Sequence, residues 1–77
     1  MKREEVWIQT DVIRLGQLLK MSGAAENGGL AKAMIQDGIV LLNGAVETQR
    51  GKQVVAGDVV TIRFADEPLE LTVRREQ

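Results

Sequence analysis

The chain has 77 residues, of which 44% are hydrophobic and 27% charged, and its formal net charge is -1. A chain of this length buries one modest core, and the absence of cysteine and histidine removes disulfides, the usual zinc ligands, the commonest general base and the usual nucleophile pairs. We therefore expect one non-enzymatic domain over residues 1–77, with no metal and no cofactor.

The first predicted element is a short β-strand at residues 6–9. No segment approaches the roughly eighteen apolar residues of a membrane span, and the N-terminal residues lack the apolar core of a signal peptide. We expect a cytoplasmic, monomeric protein without membrane contacts. Only 3% of the residues are aromatic, and we expect Trp7 and Phe64 to lie in the core.

Two helices are predicted next. Apolar residues recur at helical spacing over residues 12 to about 23, and a second helix is predicted over residues 28–37 with Lys32 facing outward. Four residues of the second helix are expected to face inward: Leu30, Ala31, Met34 and Ile35. Gly38 then stands where a left-handed C-terminal cap is expected.

Beyond Gly38 apolar residues recur at every second position, which is typical of β-strands. Strands are predicted at residues 39–42, 45–47, 59–64 and 69–74. Asn43 and Gly44 between the first two form the strongest two-residue hairpin signal, since both positions require positive φ. The predicted fold is α+β: a two-helix helix-turn-helix packed on one side of a small antiparallel β-sheet of about four to five strands.

Positive charge is concentrated in the middle of the chain. Residues 14–52 carry five basic and three acidic side chains, a net charge of +2, whereas the flanking segments 1–13 and 53–77 carry net charges of -1 and -2. A nucleic-acid site would explain this distribution, and so would solvated charges scattered by chance.

Four segments resemble, in order and spacing, the RNA-binding domain named after ribosomal small-subunit protein S-four. They read IRLGQLLK at residues 13–20, NGGLAK at 27–32, GIVLLNG at 38–44 and VAGDVV at 55–60. The stretch ETQRGK at 47–52 and the double glycine are typical of the short stand-alone bacterial members of YaaA/YbcJ type. The resemblance spans residues 8–62, with the core motif at about 12–62.

The resemblance implies the αL RNA-binding motif, a helix-turn-helix followed by a hairpin that holds structured RNA. The implied partners are ribosomal or transfer RNA, the ribosome or its assembly intermediates. Carried over by position, Arg14 matches the basic residue that opens the first helix and Lys32 the basic residue early in the second. Arg50 and Lys52 match the basic loop after the hairpin.

The chain departs from the larger family at three positions. Family members often have Asp at the position of Gly16, Ser at that of Asn27 and Arg at that of Gly28, so one phosphate-binding side chain is missing here. Gly28 and Gly29 allow two compatible interpretations. They let the chain enter the second helix with Asn27 as N-cap, and they expose first-turn amides that attract an anion such as phosphate.

The predicted RNA-binding residues are Arg14, Gln17, Lys20, Gly28, Gly29, Lys32, Arg50 and Lys52. No apolar residue anchors the loop around Gly51, so we expect a mobile basic finger there. Met21 shares a helix face with Gln17, where it is either spare surface or a contact for a ribose or base. With so few aromatics, folded RNA recognised by its backbone fits better than single strands recognised by stacking.

Two alternatives to RNA binding remain. In the first, the chain is a protein-interaction module of ribosome assembly or quality control, whose partner meets an acidic sheet edge at Asp66, Glu67 and Glu70. In the second, paired carboxylates support an enzyme. Asp37 lies by a helix end, and Asp58 and Asp66 lie at turns, so solvated turn residues are the favoured interpretation.

Overall fold

A computed structural model describes all 77 residues, which form two short helices and two β-sheets. The elements are β1 (Lys2–Ile8), β2 (Val12–Arg14), α1 (Leu15–Met21), α2 (Gly28–Gln36), β3 (Val40–Leu42), β4 (Ala45–Val46), β5 (Gln53–Val55), β6 (Val59–Ile62) and β7 (Leu69–Arg75). Five strands form one sheet in the order β1-β7-β6-β3-β4, while β2 and β5 form the other. The predicted α+β class is confirmed. Neither helix has the length and apolar character needed to cross a membrane.

One apolar core lies between the large sheet and the helices. It contains 17 buried hydrophobic residues, and no charged side chain is buried. Along β7 the buried residues alternate with more exposed ones, so Leu69, Leu71 and Val73 all face the core. Because each fully buried aliphatic side chain contributes about 1.5–3 kcal/mol, this cluster is the main source of stability.

The predicted turns at Asn43-Gly44 and Gly38 are confirmed. Asn43 has φ 51° and Gly44 has φ 87°, the two left-handed positions of a tight hairpin. The Asn43 side chain also ties this hairpin to the start of β6, because its Oδ1 accepts from the Val59 amide at 2.9 Å and its Nδ2 donates to Asp58 at 3.0 Å. Gly38, with φ 80°, follows α2.

The first helix is shorter than predicted, because residues 12–14 form a strand. β2 pairs antiparallel with β5, an element that the sequence pattern did not indicate. The chain becomes helical only after Arg14, whose φ of -80° and ψ of 145° are extended. Val12 and Leu15 lie three residues apart, a spacing that fits a helix but also a strand that runs directly into one. Pairing with β5 decides the outcome, and it leaves Val12 exposed.

Two apolar side chains that were expected in the core lie at the surface. Trp7 is 52% exposed, because its neighbours Val6 and Ile8 face the core and strand alternation turns Trp7 to the opposite face. Leu30, in the first turn of α2, is 43% exposed. Phe64 is partly buried against the core, as predicted.

The strand β1 enters the large sheet in parallel with β7, whereas all other strand pairs are antiparallel. Lys2 lies opposite Leu69 and Ile8 lies opposite Arg75. The predicted strand at residues 6–9 therefore extends back to Lys2 and forms one edge of the sheet. The expected antiparallel sheet is correct except at this edge.

Candidate nucleic-acid interface

The first turn of α1 is hydrogen-bonded to the loop between β4 and β5. The Leu15 amide donates to the Lys52 carbonyl at 2.9 Å, and the Gly16 amide donates to the Arg50 carbonyl at 3.0 Å. Amides in the first turn of a helix have no partner within the helix, so the loop carbonyls satisfy them. The loop is thus anchored to α1 along its backbone, an interaction that the prediction of a mobile finger did not include.

Two glycines allow arginine side chains to approach this backbone closely. A Cβ atom on Gly16 would lie 2.5 Å from Arg50 Cγ and 3.2 Å from its Cδ, so the Arg50 side chain crosses α1 where no Cβ can be present. At Gly51 a Cβ would lie 3.1 Å from Arg14 Nη1, which donates to the Gly51 carbonyl at 3.2 Å. Both arginines are therefore held against the junction of helix and loop.

These groups surround a surface cavity of about 320 Å³, here called the basic cavity. It is lined by Arg14, Gly16, Gln17, Lys20, Gly28, Arg50 and Gly51. No hydrophobic and no acidic side chain lines it. Of the eight residues predicted from the sequence, five lie here, whereas Gly29, Lys32 and Lys52 do not line the cavity. Gly16 and Gly51 were not predicted as site residues.

The cations around the basic cavity differ from those of the terminal strands in their ion pairing. Each cation of the terminal strands lies within 3.6 Å of a carboxylate: Lys2, Arg3, Arg74 and Arg75. No ion pair includes any cation of residues 14–52: Arg14, Lys20, Lys32, Arg50 and Lys52. Arg63 is also unpaired. The positive charge of the cavity is therefore not neutralised within the protein.

The start of α2 contributes backbone donors beside these cations. Asn27 Oδ1 accepts from the Leu30 amide at 2.8 Å, which confirms Asn27 as the N-cap. The amides of Gly28 and Gly29 have no hydrogen-bond partner in the protein. A Cβ on Gly28 would meet no atom within 4 Å, so the space in front of its backbone is open. This end of α2 offers two free N–H groups, and Gly28 lines the basic cavity.

A second and larger cavity adjoins the first. This groove of about 680 Å³ lies between the end of β1, the turn into β2 and the outer side of α1. Three exposed apolar residues line it, namely Trp7, Val12 and Met21. Gln17 and Lys20 line both cavities. We call it the Trp7 groove; it was not predicted, since Trp7 was expected in the core.

Comparisons with known proteins agree with the resemblance seen in the sequence. The family model described as S4 domain matches residues 6–71. "Probable ribosome maturation protein RlbA" of Bacillus subtilis is 40% identical over 55 residues, covering 71% of this chain and 78% of the relative. "Putative RNA-binding protein YbcJ" of Escherichia coli is 39% identical over 59 residues, covering 77% and 81%. The chain therefore belongs to the S4 domain family, among its short members of YbcJ type.

Proposed function

We propose that this chain is a non-catalytic module that holds structured RNA by its phosphate backbone in the basic cavity. One observation carries the proposal: three cations without ion pairs, Arg14, Lys20 and Arg50, line a cavity that contains no acidic side chain. A phosphate group suits such a cavity, because guanidinium groups bind its oxygens in pairs and an ammonium group adds a point charge.

The two arginines are positioned before RNA arrives. Arg14 is held by its bond to the Gly51 carbonyl, and Arg50 is held by its packing across Gly16. Arg14 uses one N–H group in this bond, and four of the five guanidinium donors stay free for a ligand. Side chains already held in place lose less conformational entropy on binding than flexible ones.

The free amides of Gly28 and Gly29 extend the same surface with uncharged donors. They stand at the N-terminus of α2, where the helix dipole favours an anion. Gly28 lies in the cavity together with Lys20 of α1, so a phosphate there meets charge from one helix and backbone donors from the other. Lys32 and Lys52, outside the cavity, serve neighbouring phosphates.

Contacts to phosphates position an RNA without specifying its sequence, which fits recognition of a folded shape. The names of the relatives support this class of partner. RlbA is named for ribosome maturation and YbcJ for RNA binding. We accordingly propose ribosomal RNA, in the ribosome or an assembly intermediate, as the target, with transfer RNA as the second candidate. The chain would act as one cytoplasmic, monomeric domain.

The alternative, a protein-interaction module without RNA contact, is less well supported by the arrangement of charges. Glu67 lies 3.7 Å from the amino group of Met1, and Glu70 lies 3.5 Å from the Arg3 guanidinium. These contacts neutralise much of the acidic edge that would meet a basic partner. Only Asp66 of that edge has no cation within ion-pair distance.

The proposal is tested by the salt dependence of RNA binding. Replacing Arg50 and Lys52 by alanine should lower the slope of log affinity against log salt by about 1 to 2, since each neutralised phosphate contributes about 0.7 to 0.9. The matched control replaces Arg3 and Arg74, two cations already paired with carboxylates, and should leave the slope unchanged. Binding is measured by filter retention of a folded ribosomal RNA fragment and of transfer RNA.

Two results would contradict the proposal. If the control pair lowers the slope as much as Arg50 and Lys52 do, binding is a general effect of net charge and not of the basic cavity. If the wild-type protein retains neither RNA at low salt, the protein-interaction alternative stands. Thermal unfolding of both double variants should stay close to wild type, because alanine keeps the loop carbonyls that anchor to α1.

A further inference from the structure

We propose that the Trp7 groove receives one unpaired nucleobase of the RNA whose phosphates lie in the basic cavity. The inference rests on the proposed function and specifies the substrate class: a folded RNA with a bulged or flipped-out nucleotide beside the bound backbone. A fully paired helix keeps its bases stacked inside and has nothing to place in an apolar groove.

The groove is lined by both apolar and polar residues, which matches the apolar faces and polar edge of a nucleobase. Trp7, Val12 and Met21 expose apolar surface to it, and such clusters on a small soluble protein mark a binding site. The polar residues that line it are Gln9, Thr10, Gln17, Lys20 and Glu76. An aromatic ring and a methionine can cover the faces of a base, while the amide of Gln17 can both donate to and accept from its edge.

The position of the groove joins it to the phosphate site. Gln17 and Lys20, on the exposed side of α1, line both cavities. Gln9 and Glu76 also line the groove, and Gln9 Nε2 donates to the Glu76 carboxylate at 3.0 Å. A nucleotide with its phosphate beside Lys20 can therefore place its own base, or that of its neighbour, in the groove. This continuity favours a base of the same RNA over a separate protein ligand.

The free energies of stacking and of base extraction favour an RNA whose nucleotide is already unpaired. Stacking of one base on an aromatic side chain changes affinity by about 5- to 150-fold on alanine substitution. Extracting a paired base from a helix offsets much of that gain, whereas a bulged base is extracted at least cost. The groove should therefore discriminate between two RNAs that present the same backbone to the basic cavity.

Trp7 supplies a site-specific probe, because the chain has one tryptophan and no tyrosine. The test compares two labelled RNA hairpins, one fully paired and one identical except for a single bulged adenosine. Affinity is followed by fluorescence anisotropy and the groove by the emission of Trp7. The bulged hairpin should bind at least 5-fold more tightly, and it alone should quench Trp7 with the midpoint seen by anisotropy.

Variants separate the groove from the basic cavity. Trp7→Ala should reduce affinity for the bulged hairpin at least 5-fold and leave that for the paired hairpin unchanged, while Trp7→Phe keeps most of the preference. Val46→Ala is the matched control, since Val46 is equally exposed at 53% but lies in β4, at the opposite edge of the sheet. It should change neither affinity.

The outcomes distinguish the two proposals. Equal affinity for both hairpins with unchanged Trp7 emission overturns the groove inference and leaves the basic cavity as an RNA site. The groove inference is also overturned if Trp7→Ala and Trp7→Phe each lower the affinity for both hairpins equally. Trp7 would then support the fold and not contact a base. If neither hairpin binds the wild-type protein at low salt, the proposed function fails and the groove inference fails with it.

Discussion

Replacing Gly16 by alanine should weaken RNA binding while the domain stays folded. The added Cβ would lie 2.5 Å from Arg50 Cγ, whereas carbon atoms in ordinary contact are about 3.5–4.0 Å apart. The Arg50 side chain must therefore retreat by at least about 1 Å, and it has room to do so because Arg50 is exposed. We expect this shift to withdraw its guanidinium from the basic cavity.

The Gly16→Ala substitution should change both stability and RNA affinity, each by a modest amount. Alanine is favoured over glycine inside a helix by up to about 1 kcal/mol, and lost packing of Arg50 acts in the opposite direction, so stability should change by less than about 1 kcal/mol. Loss of one phosphate contact lowers the slope of log affinity against log salt by about 0.7 to 0.9. If the variant and the wild type bind equally at about 1 M salt, the variant binds about 5- to 8-fold more weakly than the wild type at about 0.1 M.

A double-mutant cycle gives the decisive measurement. Affinity for a folded RNA is measured for wild type, Gly16→Ala, Arg50→Ala and the double variant, together with thermal unfolding of each. If Gly16 acts by leaving room for Arg50, the alanine at Gly16 has no further effect once Arg50 is absent. An equal loss in both backgrounds would refute this reasoning, and so would a loss of several kcal/mol in stability from Gly16→Ala alone.

Two further predictions concern α2. Lys32→Glu should weaken binding of folded RNA at low salt without a change in the thermal midpoint, since Lys32 is exposed and has no ion pair. Unchanged affinity in a filter-binding assay would show that Lys32 is not part of the interface. Gly28→Ala should leave stability equal or raise it by about 0.4–1 kcal/mol, because its Cβ enters open space, yet it should lower RNA affinity by obstructing the free amides. Stable protein with undiminished affinity would exclude a phosphate at this position.

Elements fixed by local chemistry were predictable from the sequence. The turn at Asn43-Gly44 and the end of α2 at Gly38 depend on φ values that few residues adopt, so residue type alone indicates them. The second helix was predicted to within one residue, because its N-cap Asn27 accepts a hydrogen bond from a first-turn amide through its side chain, which residue type also indicates.

Features set by contacts between distant segments were not predictable. The strand at residues 12–14 exists because it pairs with Gln53–Val55, which no local pattern reveals. The anchoring of the loop at Arg50 depends on amides of α1 more than thirty residues earlier in the chain. The prediction for Trp7 is wrong for a different reason: a lone large aromatic residue favours a core position, but strand alternation with Val6 indicates the outer face.

Within the site, the sequence indicated residue types better than their arrangement. All five predicted cations lack ion pairs, but only Arg14, Lys20 and Arg50 line one cavity. Gly16 was noted only as a departure from the family pattern. The Arg50 side chain lies over Gly16, and the path of a side chain across a neighbouring helix is a tertiary property that the sequence does not show.

The parallel pairing of β1 with β7 has a consequence for biosynthesis. A ribosome makes the N-terminal strand first, and its only partner in the sheet is the last strand to emerge. Until then β1 is an unsatisfied strand that other nascent chains could pair with. Its first four residues, Lys2 to Glu5, are all charged, and charged edges resist such pairing. The same residues form ion pairs along the finished sheet, and we expect them also to limit aggregation of the growing chain until β7 has been made.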